Sequence, residues 1–158
     1  MQQFDPNIPP YIQGDVTTVV VVDPASDFAP LEVGNHVLDR TKPFQITVKW
    51  TISGLLAPLW LSALGGNWNV QAYAESLGGG PEILLAEDDT VAADPTVLDY
   101  EATLNVPAFA LEEGDPGSNT SGIYKLVISV FLNSTLPSPG FDMVGFNEGP
   151  IIQVEDPA

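Results

Sequence analysis

The sequence predicts an all-β protein: one sandwich of seven antiparallel strands over residues 15–158, preceded by an extended Pro-rich arm at residues 1–14. Three observations carry that expectation. Apolar side chains recur at every second position through most of the chain, as in strands with one buried face. Fifteen prolines and fourteen glycines fall mostly between those runs, where turns need fixed or left-handed backbone angles. No amphipathic run exceeds two helical turns, and 158 residues can enclose a core without staples.

The first strand is expected at residues 16–22 (VTTVVVV), a β-branched block ended by Asp23-Pro24. Residues 44–52 (FQITVKWTI) alternate, with Phe44, Ile46, Val48, Trp50 and Ile52 on one face. Residues 68–76 (WNVQAYAES) repeat the pattern through Trp68, Val70, Ala72 and Ala74. The glycines of LGGGPE (77–82) turn the chain into a short strand at 83–87 (ILLAE). Residues 97–106 align Tyr100, Ala102, Leu104 and Val106. Residues 123–132 (IYKLVISVFL) are nearly all apolar, as suits a central strand, and IIQVE closes the set at 151–155.

A tryptophan on an early alternating strand, a hairpin, the Y-x-A-x-L-x-V run and then SGIYKLVISVFL resemble an immunoglobulin-like or fibronectin type III-like sandwich. Gly122, Tyr124, Leu126, Ile128 and Val130 match the G-x-Y-x-L-x-I-x-V strand that lies mid-sheet in such folds. The likeness spans roughly residues 15–155 and lacks the bridging cysteines of antibody domains. It implies a fold and no particular activity.

Charge narrows the partners. Four basic residues (Arg40, Lys42, Lys49, Lys125) stand against 21 acidic ones, for a formal charge of −17. Phosphate backbones are bound by clustered Lys and Arg, and the chain has no such cluster, so nucleic acid is a poor partner and no nucleic-acid role is expected; an anionic membrane surface is a poor partner too. The acidity reads either as solubility through self-repulsion or as adaptation to salt, the first favoured because charged residues are only 16% of the chain. The absence of Cys removes disulfides, thiolate metal sites and cysteine nucleophiles. MQQFDPNIPPYIQG has neither the basic start nor the apolar core of a signal peptide. The lack of Cys does not decide the compartment; the expected assembly role favours an extracellular, cell-surface or particle-associated setting.

Catalytic residues are few. His36 is the single histidine, and no G-x-S-x-G elbow offers it a nucleophile. Zinc needs more nitrogen or sulfur ligands than the chain owns, so His36 is read as a residue making local hydrogen bonds. Glycoside hydrolysis needs two carboxyl groups facing across a cleft, which is a matter of fold rather than spacing. The expectation is a non-enzyme without a cofactor. Calcium is the metal the residue types allow: EEGDPGSNTSG (112–122) and AEDDT (86–90) are acidic, and Glu112, Glu113, Asp115 and Asn119 bear oxygen donors. No calcium-loop spacing accompanies them, and Asp115-Pro116-Gly117 also reads as a turn. Asn119-Thr120-Ser121 and Asn133-Ser134-Thr135 match the glycosylation acceptor pattern.

The most apolar segment lies in a connection. Eight of the ten residues from 55 to 64 are apolar, too few to span a bilayer. Three readings compete. Residues 58–64 (PLWLSAL) can form a short helix that plugs the sandwich end, with Pro58 in its first turn and Gly65 after its last. The segment can be the apolar centre of a protein–protein contact. It can also dip into lipid or hold an apolar ligand. Leu55, Leu56, Leu59, Trp60, Leu61 and Leu64 are too many for one face of two turns, so part of the set is expected outside. Val16 and Val20 join them as candidate contact residues, because VTTVVVV is a strand edge with no Lys or Pro guarding it. The expected role is a structural or interaction subunit that assembles with itself as a homo-oligomer, or docks in a larger surface, appendage or particle. The alternative is a carbohydrate-binding module, with or without calcium, in which Trp60, Trp68 or Tyr73 stacks on a glycan beside Asn67, Asn69 and Gln71.

Overall fold

Each alternating run becomes a strand whose apolar positions face inward. The computed structural model describes residues 2–22, 37–78, 82–112, 114, 121–137 and 143–155. Their elements are β1 (Gln2–Asp5), β2 (Gln13–Val22), β3 (Val37–Asp39), β4 (Phe44–Ser53), α1 (Ala57–Leu64), β5 (Asn67–Ser76), β6 (Glu82–Ala92), β7 (Asp99–Val106), β8 (Ile123–Asn133) and β9 (Val144–Glu155). One sheet runs β1-β9-β8-β5-β6, with β3 also on β9, and the other runs β2-β4-β7. The two face each other as a sandwich. Ile46, Val48, Trp50 and Ile52 of β4 meet Trp68, Val70, Ala72 and Ala74 of β5 and Leu126, Ile128, Val130 and Leu132 of β8 in one buried core. Trp50 stacks on Tyr100 at 5.7 Å between ring centroids, and both meet Trp68 from the facing sheet at 5.8 and 5.5 Å.

The described residues hold nine strands rather than seven, and the two additions share a cause. β1 pairs antiparallel with Val144–Asn147, and β3 pairs parallel with Gln153–Glu155. Both lie along the same edge of β9. Neither is long enough to show a period of its own; the edge specifies them. The residues expected as an extended arm thus contain β1 and a tight turn, in which Ile8 and Ile12 exchange backbone hydrogen bonds of 2.8 and 3.1 Å. The Phe4 ring sits between Gly14 and Gly145, and a Cβ on either glycine would overlap it. Other bounds move too. The strand expected at 83–87 extends over the whole of β6, so AEDDT is strand rather than loop. The last strand starts at Val144 instead of residue 151.

β4 runs toward α1 and β5 runs away from it, so the helix crosses between the sheets at one end of the sandwich. The β3–β4 turn and the segment after β7 lie at the opposite end. Two tyrosines clamp the connections. The Tyr100 hydroxyl donates to the Asp94 carbonyl (3.1 Å) and accepts from the Asp94 N–H (3.2 Å). The Tyr124 hydroxyl treats Glu112 the same way, at 2.9 and 3.2 Å. Burial pushes both phenols above their ordinary pKa of 10.0. The folded chain therefore holds these protons more tightly than the unfolded chain, and the stability they give is complete below pH ~10 and lost as pH climbs through the raised values. Thermal unfolding followed from about pH 8 to about pH 11 should show that loss. Tyr124→Phe should lower stability by about 1 kcal/mol at the neutral end and make the alkaline fall shallower.

Candidate functional site

The connection from β4 to β5 begins at Gly54, whose φ of +115° suits only glycine comfortably. A Cβ there would also strike the Tyr11 backbone. Leu55 N–H donates to the Pro10 carbonyl (3.0 Å) and Leu56 N–H to the Tyr11 carbonyl (2.8 Å), tying the helix start to the 8–12 turn. Pro58 stands in the first turn, and Gly65 N–H closes the last one on the Leu61 carbonyl. From the far side, the Thr135 N–H and hydroxyl both donate to the Leu64 carbonyl at 2.9 Å.

The helix divides its apolar residues between two jobs. Ala57, Leu61 and Leu64 are buried in the core and close the sandwich end. Leu55 (76% exposed), Leu59 (67%) and Leu56 (40%) remain outside. Trp60 is partly buried against the core. With Ala63, Leu64 and Leu136, the residues Leu56, Leu59 and Trp60 line a groove of about 330 Å³ in which every lining side chain is apolar. Leu136 was not singled out from sequence; it follows β8 with no pattern of its own and joins the site because Thr135 is bonded to the helix end.

Of the two β2 candidates, Val16 is buried and Val20 is exposed. A bulge between Val16 and Thr18 shifts the pairing with β4, so that Val19 and Val21, rather than Thr18 and Val20, follow Val16 inward. β2 does lie at the edge of its sheet, but the Val16 carbonyl already accepts from the Asn147 side chain at 3.1 Å.

The charge distribution sharpens the contrast. Positions 6–14, 50–74 and 126–137 hold no Asp, Glu, Lys or Arg, and their ends converge on α1. Carboxylates stand around this uncharged cap at the neighbouring strand ends: Asp5 opposite Val144, and Asp15 and Asp99 both opposite Thr51. Asp94 precedes β7, where the Thr96 N–H (2.8 Å) and hydroxyl (2.7 Å) hold its carboxyl below the usual range, so it is ionised at neutral pH.

The residues set for sugar stacking are spread apart. Trp68 is core. Asn67 donates to the Asp89 carbonyl (3.0 Å), Gln71 to Glu87 (3.1 Å) and Tyr73 to Gln71 (2.8 Å), along the outer face of β5 rather than in the groove with Trp60. Among the described residues, no group of three His, Cys, Asp or Glu side chains is placed to hold a metal. Within β6, Asp88 accepts from the Thr90 N–H and hydroxyl. His36, Glu113, Asp115 and Asn119 lie outside the described residues. Among the described residues, no helix is long and apolar enough to cross a membrane. The fold and site define an all-β sandwich with an uncharged apolar cap at one end of an acidic body. No family model matches the chain, and no curated protein matches it.

Proposed function

We propose that this protein is a non-enzymatic structural or interaction subunit of immunoglobulin-like type that docks on protein through its α1 end. The observation that carries the reading is the exposure of Leu55, Leu56 and Leu59 around an apolar groove on a chain of charge −17. A solvated acidic protein gains nothing from such a surface alone, because exposed apolar area costs about 25 cal/mol per Å² relative to burial. Contiguous patches of this kind mark interaction sites. The strand order supports the immunoglobulin-like likeness: β2-β4-β7 and β9-β8-β5-β6 correspond to the A-B-E and G-F-C-C′ groupings of that fold. Trp68 on the strand equivalent to C, and the Tyr124 clamp at the start of the strand equivalent to F, support it further. A glycan would require polar partners that the groove lining does not offer, which ranks docking above sugar binding.

The test is a photo-activated cross-linking side chain placed at Leu59 and, as control, at Thr47 on the polar outer face of β4, in cells that make the protein. Protein adducts from position 59 and none from 47 support docking. No adduct from 59, or equal yields from both, overturns it.

A further inference from the structure

The end opposite α1 carries a projection whose chemistry complements the cap. Phe109 is 60% exposed in the segment after β7, and it is held there rather than loose. Its N–H donates to the Arg40 carbonyl at 2.9 Å, and the Arg40 guanidinium carbon lies 5.2 Å from its ring centroid. Its φ of +63° is the one positive value for a non-glycine residue among the described residues. That backbone region is costly for a bulky side chain, and such strain persists only where the surroundings enforce it. An aromatic ring kept in water at this cost, with a cation over it, has the form of a contact anchor.

Charge follows the same axis. Arg40 lies over Phe109, and Lys42 follows it in the same turn, its N–H donating to the Asp39 carbonyl; these are two of only four basic residues in the chain. The α1 end offers the reverse: an apolar groove, with Asp5, Asp15 and Asp99 at the strand ends on the same side of the sandwich and Asp94 in the segment before β7. Asp39, Glu75, Glu82, Glu112 and Glu155 share the Phe109 end, Asp39 being buried and held by the Thr41 N–H and hydroxyl and Glu75 standing 4.0 Å from Lys125, so the complementarity is local to the Arg40 and Lys42 side chains. Two α1 ends face to face would oppose carboxylates to carboxylates. An α1 end against a Phe109 end sets carboxylates against Arg40 and Lys42 and supplies a ring for the groove.

We infer that a second copy of this chain docks head to tail, with Phe109 of one copy entering the Leu56–Leu59–Trp60–Leu136 groove of the next. This rests on the docking reading above and names its partner. Because knob and groove lie at opposite ends, the contact is heterologous and does not close on itself between two copies; it yields a chain or a ring.

Light scattering on a sizing column, over a range of concentrations, tests this. Wild type should grow in mass with concentration. Phe109→Asn removes the ring while tolerating a positive φ, and Leu59→Glu charges the groove from an exposed helical position. Each variant should remain monomeric with an unchanged circular dichroism spectrum. Each also retains the half that the other lacks, so an equimolar mixture should form a complex of twice the monomer mass and nothing larger. Wild type monomeric throughout, a mixture that stays monomeric, or Phe109→Asn that still assembles would each overturn the inference. A monomeric wild type that still yields adducts to a foreign protein from position 59 would leave the docking reading standing, whereas absent adducts would remove both.

Discussion

Trp68→Ala is expected to lower the free energy of unfolding by about 3–5 kcal/mol, the usual cost of emptying a buried indole site. That is a large fraction of the roughly 5–15 kcal/mol that holds a domain together. The reason is position as well as size. Trp68 is fully buried and is the contribution of β5 to the aromatic cluster that joins the two sheets. It touches Trp50 edge-on at 67° and Tyr100 at 53°. Removing it withdraws one sheet's side of the contact, and neighbours fixed in strands can collapse only partly into the space. Trp60→Ala provides the contrast, because its indole is only partly covered; a cost of about 1–2 kcal/mol is expected there. Urea unfolding followed by far-ultraviolet circular dichroism measures both. Equal costs for the two tryptophans would mean that Trp60 is as deeply embedded in the core as Trp68.

Gly66→Ala should be more damaging than the same substitution at Gly65 or Gly78. Gly66 has φ of +80°, and a Cβ there would overlap the Asn133 carbonyl oxygen and crowd the Ser134 Cα at 3.1 Å. Both obstacles are backbone, so either the helix exit or the end of β8 must move. The left-handed conformation alone costs an L-residue about 1–2 kcal/mol, and the collision adds to it. Gly65, at φ of +59°, would meet the Thr135 hydroxyl at 3.3 Å, and Gly78, at +88°, would meet nothing within 4 Å. The expected order of destabilisation is therefore Gly66→Ala, then Gly65→Ala, then Gly78→Ala, read from denaturant midpoints. An inverted order would show that the contact between the helix exit and the β8 end yields easily. Gly66→Ala should also disturb docking, since it displaces the Leu64–Thr135 junction beneath the groove.

What could be read from residues alone follows from how each element is specified. β4, β5 and β7 write their own period of two, and their inward residues are those the alternation names; β8 is apolar almost throughout, and its inward Tyr124, Leu126, Ile128 and Val130 are the positions the resemblance to immunoglobulin-like strands marks. β1 and β3 write nothing: Gln2–Asp5 and Val37–Asp39 become strands because β9 has an open edge. The β2 block was visible, but its facing was not, because a bulge at Thr17 reverses which valines turn inward and no composition rule locates it. The surplus of leucines over one helical face foretold that α1 would be divided. Which residues went outside depended on the position of Gly54 and on the grip of the 8–12 turn. Leu136 and Phe109 carried no local signal, since one borrows its place from α1 and the other from the Arg40 turn.

The double use of the β9 edge also sets an order of events during synthesis. β1, β3 and β8 all take β9 as a neighbour, and β9 is made after every one of them. Gln2 must wait for Asn147, and Val37 for Gln153. While the ribosome is still producing the middle of the chain, Phe4 has no Gly145 to complete its slot, and the β-branched residues of β2 lack the strand that will shelter them. Pairings this distant along the chain form slowly, and unsatisfied strand edges are where nascent β proteins associate wrongly. A formal charge of −17 works against such association, because like-charged chains repel one another whether or not β9 is yet in place.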